Sequence, residues 1–457
     1  MEILENSALA LSSALERKEL SAVELMQATL DRIAATNGAV NAVVSLREAD
    51  ALLADARRAD ESPRNGWLHG IPMAIKDLAN AKGLRNTMGS PIFADQVSAK
   101  DDAFVARLKA AGAIIIGKTN TPEFGLGSHT FNPVHGATGN PYDVTRSAGG
   151  SSGGAAAALA TRMLCVADGS DMMGSLRNPA GWNNVYGMRP TWGLIPGEAV
   201  GDDFQQHMAT SGPMARNPQD LAALLGTMAG DAGRPAPQPA TGLRIGWLGD
   251  WGGAFPMETG IMEISEAAVT QLAALGHHVE AVPAPFAADE IWESWITLRS
   301  FAIASGSGAL YHNPQTRALL KDTAVWEIER GLGFAVTDVY QASARRVAWA
   351  RAAEALFEQF DAVVLPSAQC WPFPVDWDYP KEIGGVGMDT YHRWMQVVVP
   401  ASLLGLPVVN LPVGFGDAGL PAGVQLIGPW QSDARLLDVA QGWHEAHDWP
   451  GARLPVF

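Results

Sequence analysis

Apolar positions along the chain recur at two spacings, and the alternation between those spacings predicts the fold class. Ser21-Ala22-Val23-Glu24 is a capping-box pattern, after which Leu25, Leu30 and Ile33 fall on one helical face. Asn37-Gly38 is read as the close of this amphipathic helix. Helical patterns return over Ala49 to Ala59 and Phe104 to Ala111. The short apolar runs Ile71 to Ile75 and Ala113 to Ile116, bounded by glycine, have the form of buried strands. The alanine-rich stretch Ala155 to Met163 predicts a helix starting from a glycine loop. Farther on, the pattern predicts a strand over Leu243 to Leu248, a helix over Met262 to Leu275 and a buried strand over Asp361 to Pro366. A strand pair over Val408 to Leu411 and Gly423 to Ile427 and a closing helix over Ala434 to Ala446 complete it. Strands alternating with helices imply an α/β sheet protein. Asp231 to Gly242, with Pro235, Pro237 and Pro239, is the best internal linker candidate.

Composition narrows the function classes. The 457 residues leave room for two or three domains, although large α/β enzymes often form one unit. Lys and Arg number 32 against 48 Asp and Glu, a net charge of −16. A chain this acidic repels phosphate backbones, which argues against a nucleic-acid partner without excluding a local basic site. Two cysteines, Cys165 and Cys370, exclude a disulfide framework and a four-cysteine zinc site. Met1 to Glu5 lack the basic and apolar regions of a signal peptide. The most apolar long segment, Val397 to Gly414, is broken by Pro400, Gly405, Pro407, Asn410 and Pro412, so it reads as buried strand and turn rather than a membrane span. A cytoplasmic protein with no membrane partner is the default expectation.

Three patterns compete for the chemistry. Gly112 to Thr119 fits the phosphate-loop spacing, but its middle residues form the strand itself and Asn120-Thr121-Pro122 follows where a helix should start. Gly149-Gly150-Ser151-Ser152-Gly153 fits the nucleophile-elbow spacing, but Asp143 to Ala148 are too polar for the apolar strand an elbow needs. None of the 10 histidines, His207, His312, His392 and His444 among them, has a distinguishing setting for a serine–histidine–aspartate enzyme. The third pattern is Lys76 at the end of an apolar run, Ser151 in a glycine-rich loop and Ser175 in a second Gly-Ser turn. Individually these are a solvated lysine, a linker serine and a helix cap. Together they suggest a hydrolase in which an unusually neutral lysine activates a serine.

These segments resemble the amidase signature enzymes. The resemblance is carried by Gly70-Ile71-Pro72 to Lys76-Asp77, Gly117 to Phe124, Gly149 to Gly154, Gly169-Ser170-Asp171 through Arg177, Val185 to Thr191 and Ala422 to Gly428, and it runs from about Leu20 to Ala446. It implies a single α/β/α domain around a central mixed, twisted sheet flanked by helices, spanning residues 1–457 with a signature core near 65–220. It implies a Ser–cis-Ser–Lys triad in which Ser175 is the nucleophile, Ser151 the bridging serine after a cis peptide bond and Lys76 the base. It also implies an oxyanion hole of backbone N–H groups from Met172, Met173, Gly174 and Ser175, with Gly150, Asp171 and Arg177 as structural support. Many family members carry glycine at the position of Met173 and a smaller residue at Met172, so these methionines are expected to narrow or line the acyl pocket.

The physical chemistry agrees with these roles. A serine hydroxyl needs a base to become a nucleophile, and a lysine can serve only when burial or a nearby cation lowers its pKa. A hydroxyl such as that of Ser151 can pass a proton because it both donates and accepts. The expected function is hydrolysis of a small-molecule carboxylic amide through an acyl-enzyme, with esters as a side reaction. No metal and no organic cofactor is expected, and a homodimer is left open. The alternative is the glutaminase (A-type) subunit of a tRNA-dependent amidotransferase, against which Gly201 to Met208 depart from the Ser-Leu-Asp-Gln-rich segment expected there. A family member that has lost catalysis would lack a triad residue, and none is lacking. Trp371, Phe373, Trp377 and Tyr379 either wall a pocket for an apolar or aryl acyl group or form an aromatic core patch.

Overall fold

The Ser21 capping box forms. The Ser21 hydroxyl accepts from the Glu24 N–H at 3.1 Å, and the Glu24 carboxylate accepts from the Ser21 N–H at 2.8 Å. The helix it opens, Ala22–Val40, runs past the expected stop at Asn37-Gly38. The Asn37 side chain reaches beyond the last turn, accepting from the Ala42 and Val43 N–H groups and donating to the Val43 carbonyl. It therefore fastens the chain leaving the helix, and Asn41, in the left-handed conformation, ends it. The computed structural model describes residues 2–197, 207–231 and 233–456; residues 201–206 of the Gly201 to Met208 segment lie outside the described residues.

Two main sheets meet at Lys76. Val43–Val44, Ile114–Thr119 and Pro72–Lys76 make a small sheet, the last two parallel. A mixed eight-stranded sheet runs His278–Ala281, Arg244–Trp247, Ala362–Pro366, Pro421–Ile427, Val408–Phe415, Tyr186–Arg189, Thr210–Ala215, Val166–Asp171. Its first three strands are mutually parallel and every later pairing is antiparallel. It takes strands from both sides of the proline-rich 231–242 segment. The edge strand Val166–Asp171 lies against the small sheet, where the Lys76 N–H donates to the Asp168 carboxylate at 3.1 Å. The architecture is thus a large central mixed sheet with helices packed around it, as the resemblance implied.

Helix Gly153–Ala160 is buried along all eight residues. Its small side chains let it pack against strands of both sheets at once, which a helix with one polar face could not do. The expected strands at 243–248, 361–366, 408–411 and 423–427 and the helices at 262–275 and 434–446 form within a few residues of their limits. Val397 to Gly414 departs from expectation. It holds the helix Val399–Leu404 before the strand begins, with Pro400 in the first turn, where its missing N–H costs nothing, and Gly405 closing it at φ 67°. Asp143–Ser147 is a strand after all, but in a two-stranded ribbon whose Val144 and Thr145 are exposed. Residues 114–119 are strand throughout, and the Lys118 ammonium turns inward to the Ala79 carbonyl and the Asn86 side chain.

Long helices Ala288–His312, Asp322–Leu332 and Val336–Gln359, packed together, were not apparent in the pattern. Among the described residues no helix is long and apolar enough to cross a membrane.

Because the Gly153–Ala160 helix has no free face, Ala157→Leu must displace a neighbour. The expected cost is about 1–3 kcal/mol, read as a lower urea midpoint at unchanged slope; an unchanged midpoint would mean the helix has slack.

Candidate active site

The strand Pro72–Lys76 is buried at every position and delivers Lys76 to the junction of the two sheets. The lysine is 1% exposed. Its Nζ lies 2.7 Å from Ser151 Oγ, 2.9 Å from Ser152 Oγ, 3.0 Å from Ser170 Oγ and 3.4 Å from the Ser170 carbonyl. All of these partners are uncharged. Burial pulls the Lys76 pKa down to about 7, against the opposing charges of Asp168 and Asp171. Burial also pushes the Asp168 carboxyl up to about 6, in spite of the Lys76 N–H and the Lys118 and Lys76 charges. Both shifts move the pair toward neutrality, so the amine can exist as a free base near neutral pH.

Ser151 follows a cis peptide bond from Gly150. The loop is held from one side: Thr130 donates its N–H and hydroxyl to the Gly149 carbonyl at 3.0 and 2.8 Å, and the Ser128 hydroxyl donates to the Gly150 carbonyl. A side chain at 150 would sit 3.0 Å from Thr130 Oγ1 and 3.1 Å from the His129 nitrogen, which is why glycine stands there.

Ser175 follows the edge strand Val166–Asp171 in a turn that Asp171 shapes. One Asp171 oxygen accepts from the Gly174 N–H at 2.9 Å and the other from the Leu176 N–H at 3.1 Å. Gly174 has φ 81°, and a side chain there would meet Val398 at 2.9 Å. Arg177 grips Asp171 with two bonds, at 2.9 and 3.0 Å, and spends its remaining N–H groups on the Val398 carbonyl, Gln425 and Ser402. Arg189 donates to the Asp171 carbonyl at 2.6 Å. Burial alone would raise the Asp171 pKa; the Arg177 charge and hydrogen bonds, with Arg189, hold it well below the usual carboxylate range.

Ser151 and Ser175 line one cavity of about 170 Å³, walled by Phe124, Leu126, Met172, Met173, Ile303 and Met395, with Arg299 also on its surface. Both methionines therefore face the cavity, and neither has a positive φ. Of the four expected oxyanion donors, the N–H groups of Met172, Met173 and Ser175 have no acceptor among the described residues. That of Gly174 is already given to Asp171.

The aromatic segment does not wall this cavity. Phe373 packs with Trp182 and Trp394 in the core, while Trp371 and Trp377 line a separate, larger cleft of about 710 Å³. His392 proves distinctive. It is fully buried, bonded to Thr390 at 2.8 Å and 3.4 Å from the Glu327 carboxylate. Among the described residues no three His, Cys, Asp or Glu side chains are grouped to hold a metal.

Ser152, Ser170, Asp168, Arg189 and Arg299 were missed as site residues. Ser152, Ser170 and Arg189 stood inside segments already singled out. Arg299 had one signal, a lone charge within the otherwise uncharged stretch 294–312.

A family model described as Amidase matches residues 24–437. The chain belongs to the amidase signature family. It is accordingly an amide-hydrolysing enzyme. This amidase is 34% identical over 484 residues to the A-type subunit of glutamyl-tRNA(Gln) amidotransferase from Azoarcus sp. (strain BH72), covering 96% of this chain and 97% of that one. A bacterial aryl acylamidase of the amidase signature family superposes with a TM-score of 0.89 at 26% identity, covering 98% of this chain and 99% of that one. The A-type subunit of glutamyl-tRNA(Gln) amidotransferase from Thermotoga maritima gives 0.75 at 28% identity, covering 95% and 94%.

Removing one partner of a buried ion pair strands the other. Arg177→Met should lower stability by about 3–5 kcal/mol, measured by urea unfolding, and Asp171→Asn in the same chain should recover part of it. A stability unchanged by Arg177→Met would show that Arg189 alone suffices.

Proposed function

We propose that this amidase is a free-standing amide hydrolase working through an acyl-enzyme on Ser175, with Ser151 relaying the proton and Lys76 as base. One observation carries the reading: a fully buried lysine amine, hydrogen-bonded only to uncharged oxygens, lies 2.7 Å from the hydroxyl of a serine that shares its cavity with Ser175. The neutral Lys76 amine takes the Ser151 hydroxyl proton, Ser151 takes that of Ser175, and the Ser175 oxygen bonds to the amide carbon. The carbonyl oxygen becomes an oxyanion, met by the unengaged N–H groups of Met172, Met173 and Ser175. When the carbon–nitrogen bond breaks, the proton returns along the same path to the leaving nitrogen. Water then repeats the sequence and releases the acid. Esters, as easier acyl donors, should react on the same groups.

Asp171 and Arg177 brace the nucleophile turn in this scheme, and Gly150 lets the Ser151 loop pack against Ser128 and Thr130. Strands on both sides of residues 231–242 in one sheet support a single domain.

The second reading, the A-type subunit of a tRNA-dependent amidotransferase, is favoured by the 34% identity to one such protein. The free-standing reading is supported by the higher structural similarity to the aryl acylamidase, 0.89 against 0.75. Amide hydrolysis by the purified chain alone supports the first. Activity only with a co-purifying partner protein establishes the second.

A slow amide or ester should leave its acyl mass on the peptide containing Ser175, and Ser175→Ala should lose about three or more orders of magnitude in rate. A label on Ser151 or Ser152 overturns the assignment.

Below a pH of about 7 Lys76 carries the proton it must accept, so kcat/KM should rise through about 7 and then level off. Lys76→Arg holds a cation that cannot deprotonate and should be nearly as damaging as Lys76→Ala. A flat profile between pH 5.5 and 9, or an active Lys76→Arg enzyme, removes lysine from the base role.

A further inference from the structure

Among the described residues, the wall of the Ser151–Ser175 cavity contains one cation, which the acyl-transfer chemistry does not use. Arg299 sits in the middle of the Ala288–His312 helix and is 4% exposed. Its Nε donates to Glu327 at 2.7 Å, Nη2 to the Tyr391 hydroxyl at 3.0 Å, and Nη1 to the Met172 sulfur at 3.3 Å. Glu327 in turn accepts from Tyr391 at 2.8 Å and Ser300 at 2.7 Å. The guanidinium also lies 5.2 Å from the centre of the Trp295 ring. Its position is therefore set by packing on several sides.

A guanidinium has five N–H donors. Arg177, equally buried, uses all of them on protein oxygens. Arg299 uses two on oxygen and one on a thioether, a weak acceptor. The underused end of the group is the one beside Met172, and Met172 and Arg299 both line the cavity. A wall that had only to exclude water would be more stable with an apolar residue, because a buried ion pair recovers its desolvation only when fully bonded. The missing acceptor is what a substrate can supply. The apolar walls Phe124, Leu126, Ile303 and Met395 cannot supply it, and the polar lining residues Ser151, Ser170, Asp171 and Ser175 are not among the bonding partners of Arg299.

We propose that Arg299 is a specificity-determining residue: its cavity-side N–H groups bind an acceptor oxygen carried on the acyl chain of the amide, away from the scissile carbonyl. The proposal rests on the reading of this cavity as the acyl site. A carboxylate and a ketone-like carbonyl both present the required lone pairs, and the carboxylate can meet the planar guanidinium with two oxygens.

Three amides of equal chain length separate these cases: 4-carbamoylbutanoate, 5-oxohexanamide and 5-methylhexanamide carry a carboxylate, a carbonyl and an isosteric methyl branch. Ammonia release gives kcat/KM for each. A hydrogen bond to a charged donor predicts an advantage of about 10- to 100-fold for an oxygenated amide over 5-methylhexanamide. Advantage for the carboxylate alone identifies an anion site, and equal advantage for both identifies a neutral acceptor site. In Arg299→Met the ratio should fall toward one. Because that change leaves Glu327 without its cation, Arg299→Met/Glu327→Gln is made beside it, and the folded variant is the one read. Titration of the same three compounds into Ser175→Ala by calorimetry gives the preference without turnover. An equal or reversed preference in the wild type, or an oxygen preference that survives in a folded Arg299→Met variant, overturns the proposal. Loss of turnover on all three with the binding preference intact would instead count against the acyl-enzyme reading and leave Arg299 supported.

Discussion

The turn that carries Ser175 depends on one buried carboxylate. Asp171 ends the edge strand of the large sheet, accepts two backbone N–H groups of the turn that follows, and is gripped by Arg177. Arg177 then binds the Val398 carbonyl, Ser402 and Gln425, more than two hundred residues farther along the chain. A charge pair withdrawn from water is tolerated only when its hydrogen-bonding capacity is filled. The pair is therefore satisfied only once the C-terminal strand and the Val399–Leu404 helix are in place. Local geometry at Ser175 is in this sense a property of the whole fold.

Lys76 shows the opposite electrostatic outcome a short distance away. Both groups are fully buried, yet Asp171 stays ionised because two arginines face it, while burial draws Lys76 toward neutrality, since its amine is bonded to hydroxyls and a carbonyl and to no carboxylate. The difference lies in the partners, since the burial is the same. The junction of the two sheets makes this arrangement possible. The lysine comes from the small sheet, Ser170 and Asp168 from the edge of the large one, and the Ser151 loop from the start of the buried alanine-rich helix.

The cavity that holds the two serines is small, and a far more spacious concavity, the aromatic cleft, lies elsewhere on the molecule. Size alone would direct attention away from the smaller space. Chemistry directs it to the smaller space, where unengaged N–H groups, the Ser151 hydroxyl bonded to the Lys76 amine and an underbonded guanidinium converge. The long helices 288–312 and 322–332 supply that guanidinium and its counter-ion, and Met172 brings it into relation with the turn.

Much of this was legible in residue order. Apolar runs bounded by glycine marked the strands that carry Lys76 and the core of the sheet, because continuous burial requires continuous apolarity. The Gly-Ser segments around Ser151 and Ser175 were visible because backbone packed that closely excludes larger side chains. Strands rich in polar residues, such as Val166–Asp171, were not legible, since their polar atoms are satisfied only by distant partners. The helix stop at Asn37-Gly38 failed for a related reason: the asparagine was committed to residues beyond the helix end. The stretch 288–359 gave no clear periodicity, so the Arg299–Glu327–Tyr391 network had no linear signature. Residue types and spacing determined the family and which serines and lysine stand out. Only the tertiary structure decided which charges survive burial, which N–H groups remain open, and which walls face the cavity, because each of those depends on groups far apart in the chain.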